Sequence, residues 1–153
     1  MKQEHRFVAE LYRYLAPFID TAKPLFLSLD GEAAKKGVTE KHFQDASIPD
    51  LLFTVFGRTE SMLVEAKIIE AGKITIGRNQ LKAWCSIGPG RHKPSAWVAA
   101  NVSLDTFYYW RHDQFLELLD ACTSQTEYPK LRLPKSARDF RDIRLLALEL
   151  LRA

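Results

Sequence analysis

The sequence predicts a mixed α/β domain with one central sheet of about four or five strands and helices on both sides. Apolar residues at helical spacing occupy residues 3–16 and the end of the chain. Residues 48–69 and 95–102 are instead apolar runs rich in β-branched and aromatic residues, which favour strands. A chain of 153 residues can bury one hydrophobic core, so we assign residues 1–153 to a single domain.

The composition is typical of a soluble globular protein, with 46% hydrophobic and 27% charged residues. A net charge of +3 is compatible with a nucleic-acid partner without indicating one. No apolar run reaches membrane-spanning length and the N-terminus is polar, so we expect neither a membrane partner nor a signal peptide. Cys85 and Cys122 are isolated, which favours reduced thiols in a cytoplasmic protein. The four histidines lack zinc spacing and are interpreted as scattered surface residues.

The first predicted element is a helix over residues 3–16. Its apolar positions are Phe7, Val8, Leu11 and Leu15. Glu4 falls on the same stripe, where a carboxylate is unusual. Its side chain either turns toward a buried site or points to water and favours the helix dipole from the first turn.

A short apolar run, Leu25–Leu29, predicts the first strand. A long polar segment follows over residues 30–47. It carries Lys35, Lys36 and Lys41. Connections of this length are often functional or mobile. This one is interpreted as a loop that binds a phosphate backbone, or as a solvated loop, or as a short helix around residues 32–36.

Residues 48–69 predict a β-hairpin, with Gly57-Arg58-Thr59-Glu60 as its loop. If Phe56 faces Ser61, then Asp50 faces Lys67 and lies diagonally from Glu65. Side chains alternate along a strand, so these three charged residues share one face of the sheet. A slip of one residue in the loop would separate them.

Charges within apolar strands are costly unless they are paired or bind a metal. Two carboxylates at diagonal positions, roughly 7 Å apart at the backbone, can both reach one divalent cation. Mg²⁺ favours a few carboxylates together with waters and phosphate oxygens. An ammonium beside that ion, from Lys67, could activate a water or offset charge on a phosphate.

This hairpin resembles the PD-(D/E)XK nuclease superfamily. Pro49-Asp50 is similar to its first catalytic motif, and Glu65-Ala66-Lys67 to its (D/E)XK motif. The resemblance implies a restriction-endonuclease-like core and a Mg²⁺- or Mn²⁺-dependent deoxyribonuclease with Asp50, Glu65 and Lys67 as catalytic residues. In the Holliday-junction-resolvase branch a helix near the N-terminus adds a Glu close to the metal, which implies Glu4 as a further ligand.

After the hairpin, residues 78–87 predict a helix. The superfamily often has a Gln on the helix that follows its Lys strand, and this implies that Gln80 orients the catalytic groups. A helix Gln is otherwise an ordinary surface residue. Arg78 and Lys82 lie on the other side of this helix and are candidate nucleic-acid contacts, together with Lys35, Lys36 and Lys41 of the polar segment.

The apolar run Ser95–Val102 predicts a central strand buried on both faces. Phe107–Trp110 predicts an edge strand packed on the core, with base stacking as the alternative. Residues 113–122 predict another helix. Ser136 and Asp139 form a capping box for a last helix, whose wide apolar stripe predicts either closure of the core or a homodimer interface.

The sequence thus predicts a metal-dependent endonuclease that hydrolyses DNA phosphodiester bonds. No recognition domain is evident, which favours a structure-selective enzyme or one recruited by a partner protein. One alternative is a nucleic-acid-binding or assembly module on the same fold that does not cleave. Another is an unrelated protein in which the three charges form a surface ion network and the carboxylates face open solvent.

Overall fold

The computed structural model describes residues 2–20, 50–76, 94–114 and 130–153. The described helices are α1 (Gln3–Leu15), a 3₁₀ helix (Ala16–Phe18) and α2 (Ile143–Arg152). The described strands are β1 (Ile19–Asp20), β2 (Leu51–Val55), β3 (Ser61–Ile69), β4 (Lys73–Thr75), β5 (Ala96–Asn101), β6 (Phe107–Arg111), β7 (Lys130–Arg132) and β8 (Arg138–Phe140). The predicted strand at Leu25–Leu29 and the helix over residues 78–87 lie outside the described residues.

Six of the described strands form one mixed sheet in the order β1-β2-β3-β5-β6-β8. Only β3 and β5 run parallel, and the other neighbours are antiparallel. The remaining two strands, β4 and β7, form a separate antiparallel ribbon. The mixed α/β class is confirmed, but the sheet is larger than the predicted four or five strands because the short β1 and β8 extend it on both sides.

The two faces of the sheet are covered by different layers. Helices α1 and α2 cover one face, where Phe7, Leu11 and Leu146 belong to the larger apolar core. The β4–β7 ribbon covers the other face, where Ile74 and Leu131 pack with Trp97 and Trp110. Strand β5 is buried on both faces, as predicted for a central strand.

The β2–β3 hairpin forms, but its predicted register is wrong by two residues. Leu51 pairs with Val64 and Thr54 with Ser61, so the loop covers residues 56–60. Phe56 lies outside the β2–β3 ladder, and its N–H donates to the Phe18 carbonyl at 3.0 Å on the β1 side of the strand. A shift of two residues preserves the alternation of side chains, so the predicted sharing of one face survives.

The last helix also begins later than predicted. Ser136 lies in a turn, and Arg138–Phe140 forms β8 instead of the first helical turn. Asp142 is the N-cap, and its carboxylate accepts a hydrogen bond from the Arg144 N–H at 2.9 Å. Pairing with β6 provides hydrogen-bond partners for the backbone of β8. The capping-box pattern in the sequence does not predict this pairing.

We expect Asp142→Ala to lower the free energy of unfolding by about 1 kcal/mol, because it removes the acceptor that caps α2. Ser136→Ala is the matched control and should cost only a few tenths of a kcal/mol, since a turn residue is not the cap. Urea denaturation of both variants measures the difference. Equal losses in the two proteins would contradict the observed start of this helix.

Strand β6 is interior rather than an edge, because β8 pairs with its outer side. Its aromatic residues Phe107 and Trp110 are buried in the two cores, so they are not available for base stacking. On α2, Leu146 and Leu150 are buried, whereas Leu145 and Leu148 are about half exposed. The core therefore covers one part of the predicted stripe, and a homodimer through the rest stays a prediction.

Among the described residues, no helix is long and apolar enough to cross a membrane.

Candidate metal centre

The candidate site lies where strand pairing between β2 and β3 ends. The two strands pair only from Ser61 to Val64, and β2 begins at Leu51. From Glu65 onward, β3 pairs with β5 alone among the described strands. Among the described strands, none pairs with this side of β3 at the position where Glu65 and Lys67 follow one another on the same face.

Asp50 takes the place of the missing strand partner. Its Oδ2 accepts a hydrogen bond from the Ala66 N–H at 2.9 Å. Continuing the register one residue beyond the Leu51–Val64 pair brings Asp50 level with Glu65, rather than with Lys67 as predicted. The corrected register therefore places the two carboxylates directly beside each other.

Glu4 completes a cluster of three carboxylates. One oxygen from each of Glu4, Asp50 and Glu65 lies within 4.8 Å of the other two. Glu4 occupies the first turn of α1, whose residues Phe7 and Leu11 are fully buried against the sheet. The packing of the helix thus places the Glu4 carboxylate at the site. The alternative, that this side chain points away into water, is wrong.

Lys67 lies beside this cluster. Its Nζ is 3.8 Å from the Glu65 Oε1, an ionic contact longer than a hydrogen bond. Both side chains are buried, Glu65 at 2% exposure and Lys67 at 8%. A buried carboxylate and a buried ammonium at this separation attract each other strongly, because little water screens them.

The local electrostatics disfavour three ionised carboxylates. Burial raises the pKa of Glu65 well above its usual range, and the nearby Asp50 raises it further. Burial raises the pKa of Glu4 to about 7, and the charge of Asp50 is the second cause of this shift. Lys67 opposes both shifts and Lys2 opposes the one at Glu4, but these charges do not offset the effects of burial and of Asp50.

The cluster fits a divalent cation on a second, independent observation. The Glu65 Oε2 is buried and accepts no hydrogen bond from any residue that the structure describes. A buried oxygen without a partner costs free energy, and a bound cation would satisfy it. Hard oxygen donors from three carboxylates suit Mg²⁺ or Mn²⁺ better than softer metals.

Four of the predicted site residues are therefore brought together: Glu4, Asp50, Glu65 and Lys67. The other predictions, for Lys35, Lys36, Lys41, Arg78, Gln80 and Lys82, lie outside the described residues.

One feature beside the site was missed from the sequence. Trp97 is the register partner of Glu65 on β5, and its Nε1 donates a hydrogen bond to the His112 Nδ1 at 2.9 Å. His112 is only 8% exposed, so its interpretation as a surface histidine is wrong. The pair is 15 residues apart, and only the β5–β6 register brings it together.

No family model, curated protein or solved structure matches this chain.

Proposed function

We propose that this protein is a metal-dependent endonuclease that hydrolyses phosphodiester bonds in DNA, on a restriction-endonuclease-like core. The observation that carries the proposal is the convergence of three carboxylates within 4.8 Å, with a lysine 3.8 Å from one of them. The ligand residues come from α1, from the residue just before β2 and from the middle of β3. Three separate elements thus supply charges to one point.

Asp50, Glu65 and Glu4 are the residues that would hold the ion. When bound, a divalent cation polarises a phosphate oxygen and lowers the pKa of a water molecule. The backbone hydrogen bond from Ala66 fixes the Asp50 carboxylate, so this ligand needs little reorganisation to bind. Lys67 supplies the positive charge that orients a water or offsets charge on the phosphate as the bond breaks.

The burial of Glu65 disfavours the simplest structural alternative. A surface ion network requires both carboxylates to face open solvent, whereas Glu65 is 2% exposed. A buried carboxylate with one oxygen that no described residue hydrogen-bonds is costly for the stability of the fold. Clusters of strongly shifted titratable groups are typical of functional sites.

The test is incubation of the purified protein with linear, flapped, branched and single-stranded DNA. We expect cleavage of at least one substrate in Mg²⁺ or Mn²⁺ and none in EDTA, because the carboxylates need a cation to act on a phosphate. Denaturing gels of end-labelled DNA give the rate and the position of the cut. Binding of these DNAs without cleavage in either metal would refute the enzyme and favour the non-catalytic module.

A further inference from the structure

The β4–β7 ribbon has one apolar face and one charged face. Ile74 and Leu131 are a register pair at its centre, and both are buried against the sheet. The neighbouring positions of both strands point outward and are exposed. These outward residues are Lys73 and Thr75 on β4 and Lys130 and Arg132 on β7. We refer to Lys73, Lys130 and Arg132 as the basic ribbon.

In the basic ribbon, like charges face each other across the two strands. Lys73 pairs directly with Arg132, and facing residues of an antiparallel pair have Cβ atoms about 5 Å apart. Like charges at this distance destabilise a sheet. Glu70 faces Lys73 across the turn, but none of the three cations lies within 4.0 Å of a carboxylate of a described residue. The local charge pattern conflicts with stability, and such conflicts mark functional surfaces.

The ribbon lies on the same side of the sheet as Glu65 and Lys67. Trp97 is the register partner of Glu65, and Ile74 and Leu131 pack on the face that Trp97 shares with Trp110. A tight turn after β3 leads straight into β4, so the backbones of Glu70 and Lys73 form an antiparallel bridge. Glu70 is three residues beyond Lys67, which is about 10 Å of extended strand.

We propose that the basic ribbon binds the phosphate backbone of the DNA on which the carboxylate cluster acts. The proposal rests on the proposed function, because it takes the duplex as the ligand of that side of the sheet. Three exposed cations that form no ion pair with a described residue match a polyanion in charge. Lys73 lies opposite Glu70, about 10 Å of strand beyond Lys67, and a duplex covers this length in about three base-pair steps at 3.4 Å.

Phosphate contacts leave a measurable signature. Each one contributes about 0.9 to the slope of log affinity against log salt concentration. Lys130→Gln/Arg132→Gln removes two such contacts on the strand farther from Glu70, and it also relieves the repulsion of Lys73. Arg6→Gln/Arg13→Gln is the matched control, because it removes the same charge from the exposed side of α1, on the other face of the sheet.

The experiment measures anisotropy of a labelled 30-base-pair duplex in EDTA, where cleavage does not interfere, over a range of salt concentrations. The ribbon variant should bind about tenfold more weakly, with the slope reduced by about 1.8. Its melting temperature should equal or exceed that of the wild type, because a like-charge pair is gone. The control should keep the wild-type affinity and slope.

Wild-type affinity and slope in the ribbon variant, or an equal loss in the control, would overturn the proposal. So would displacement of the duplex by polyglutamate at equal charge concentration, which would indicate an acidic protein partner. If the wild type cuts DNA and the ribbon variant binds DNA normally, the role of the basic ribbon is refuted and the nuclease proposal stands. If the wild type cuts no DNA but the ribbon variant binds DNA more weakly, the nuclease proposal is refuted and the role of the basic ribbon stands.

Discussion

Asp50→Asn should abolish cation binding and reduce DNA cleavage to background. The substitution removes a negative charge and a hard oxygen ligand from the cluster. The amide oxygen of Asn can still accept the Ala66 N–H, so the fold at this position should be retained. Calorimetric titration with Mg²⁺ or Mn²⁺ and a cleavage assay on the same preparation test both effects.

Lys67→Ala separates the metal ligands from the lysine. All three carboxylates remain, so the cation should bind as well as in the wild type or more tightly without the nearby ammonium. Cleavage should still fall by about a hundredfold or more, because the charge that assists the reaction is gone. Lys135→Ala removes the same charge from an exposed turn residue and is the control for general charge effects. Cleavage by Lys67→Ala at the wild-type rate would refute the role of this lysine.

The second large effect concerns stability and pH in the absence of metal. Burial and Asp50 raise the pKa of Glu4 to about 7 in the folded protein, against 4.5 for the unfolded chain. The folded state therefore retains a proton that the unfolded state releases, and stability falls as pH rises from about 4.5 through 7. Glu65, whose pKa is also raised, acts in the same direction.

We accordingly expect Glu4→Gln to stabilise the metal-free protein by about 2–3 kcal/mol at pH 8 and to change little at pH 4.5. Thermal unfolding in EDTA at the two pH values measures the difference. Glu10→Gln is the matched control, because it removes the same charge from the same helix outside the cluster. Adding Mg²⁺ should stabilise the wild type more at pH 8 than the Gln variant, since the variant lacks one ligand. A Glu4→Gln protein less stable than the wild type at pH 8 would contradict the electrostatic account.

The candidate site was predictable because its residues follow from alternation along the hairpin. Asp50, Glu65 and Lys67 share a face for any loop that shifts the register by an even number, and the observed shift is two. Helical spacing predicted Glu4 on the apolar stripe of α1, and only the family resemblance implied that it approaches the metal. Its orientation did not follow from the sequence, because only the packing of α1 on the sheet fixes it.

What escaped prediction depends on contacts between residues distant in the chain. The six-stranded sheet needs β1 and β8, which are two and three residues long and carry too little pattern to be recognised. The predicted capping box at Ser136 does not form, because Arg138–Phe140 pair with β6 as a strand. The burial of His112 depends on Trp97, and the like-charge pair of the ribbon depends on a register across 59 residues.

The hydrogen bond from Ala66 to Asp50 gives the protein a built-in reporter. An amide held by a carboxylate oxygen has a resonance frequency and a hydrogen-exchange rate that follow the charge on that oxygen. Ala66 lies between Glu65 and Lys67 in the chain, so its methyl group packs in the larger apolar core on the opposite face of the sheet. A single backbone cross-peak in a nuclear magnetic resonance spectrum therefore reads the state of the cluster, with no label attached to any of the reacting side chains.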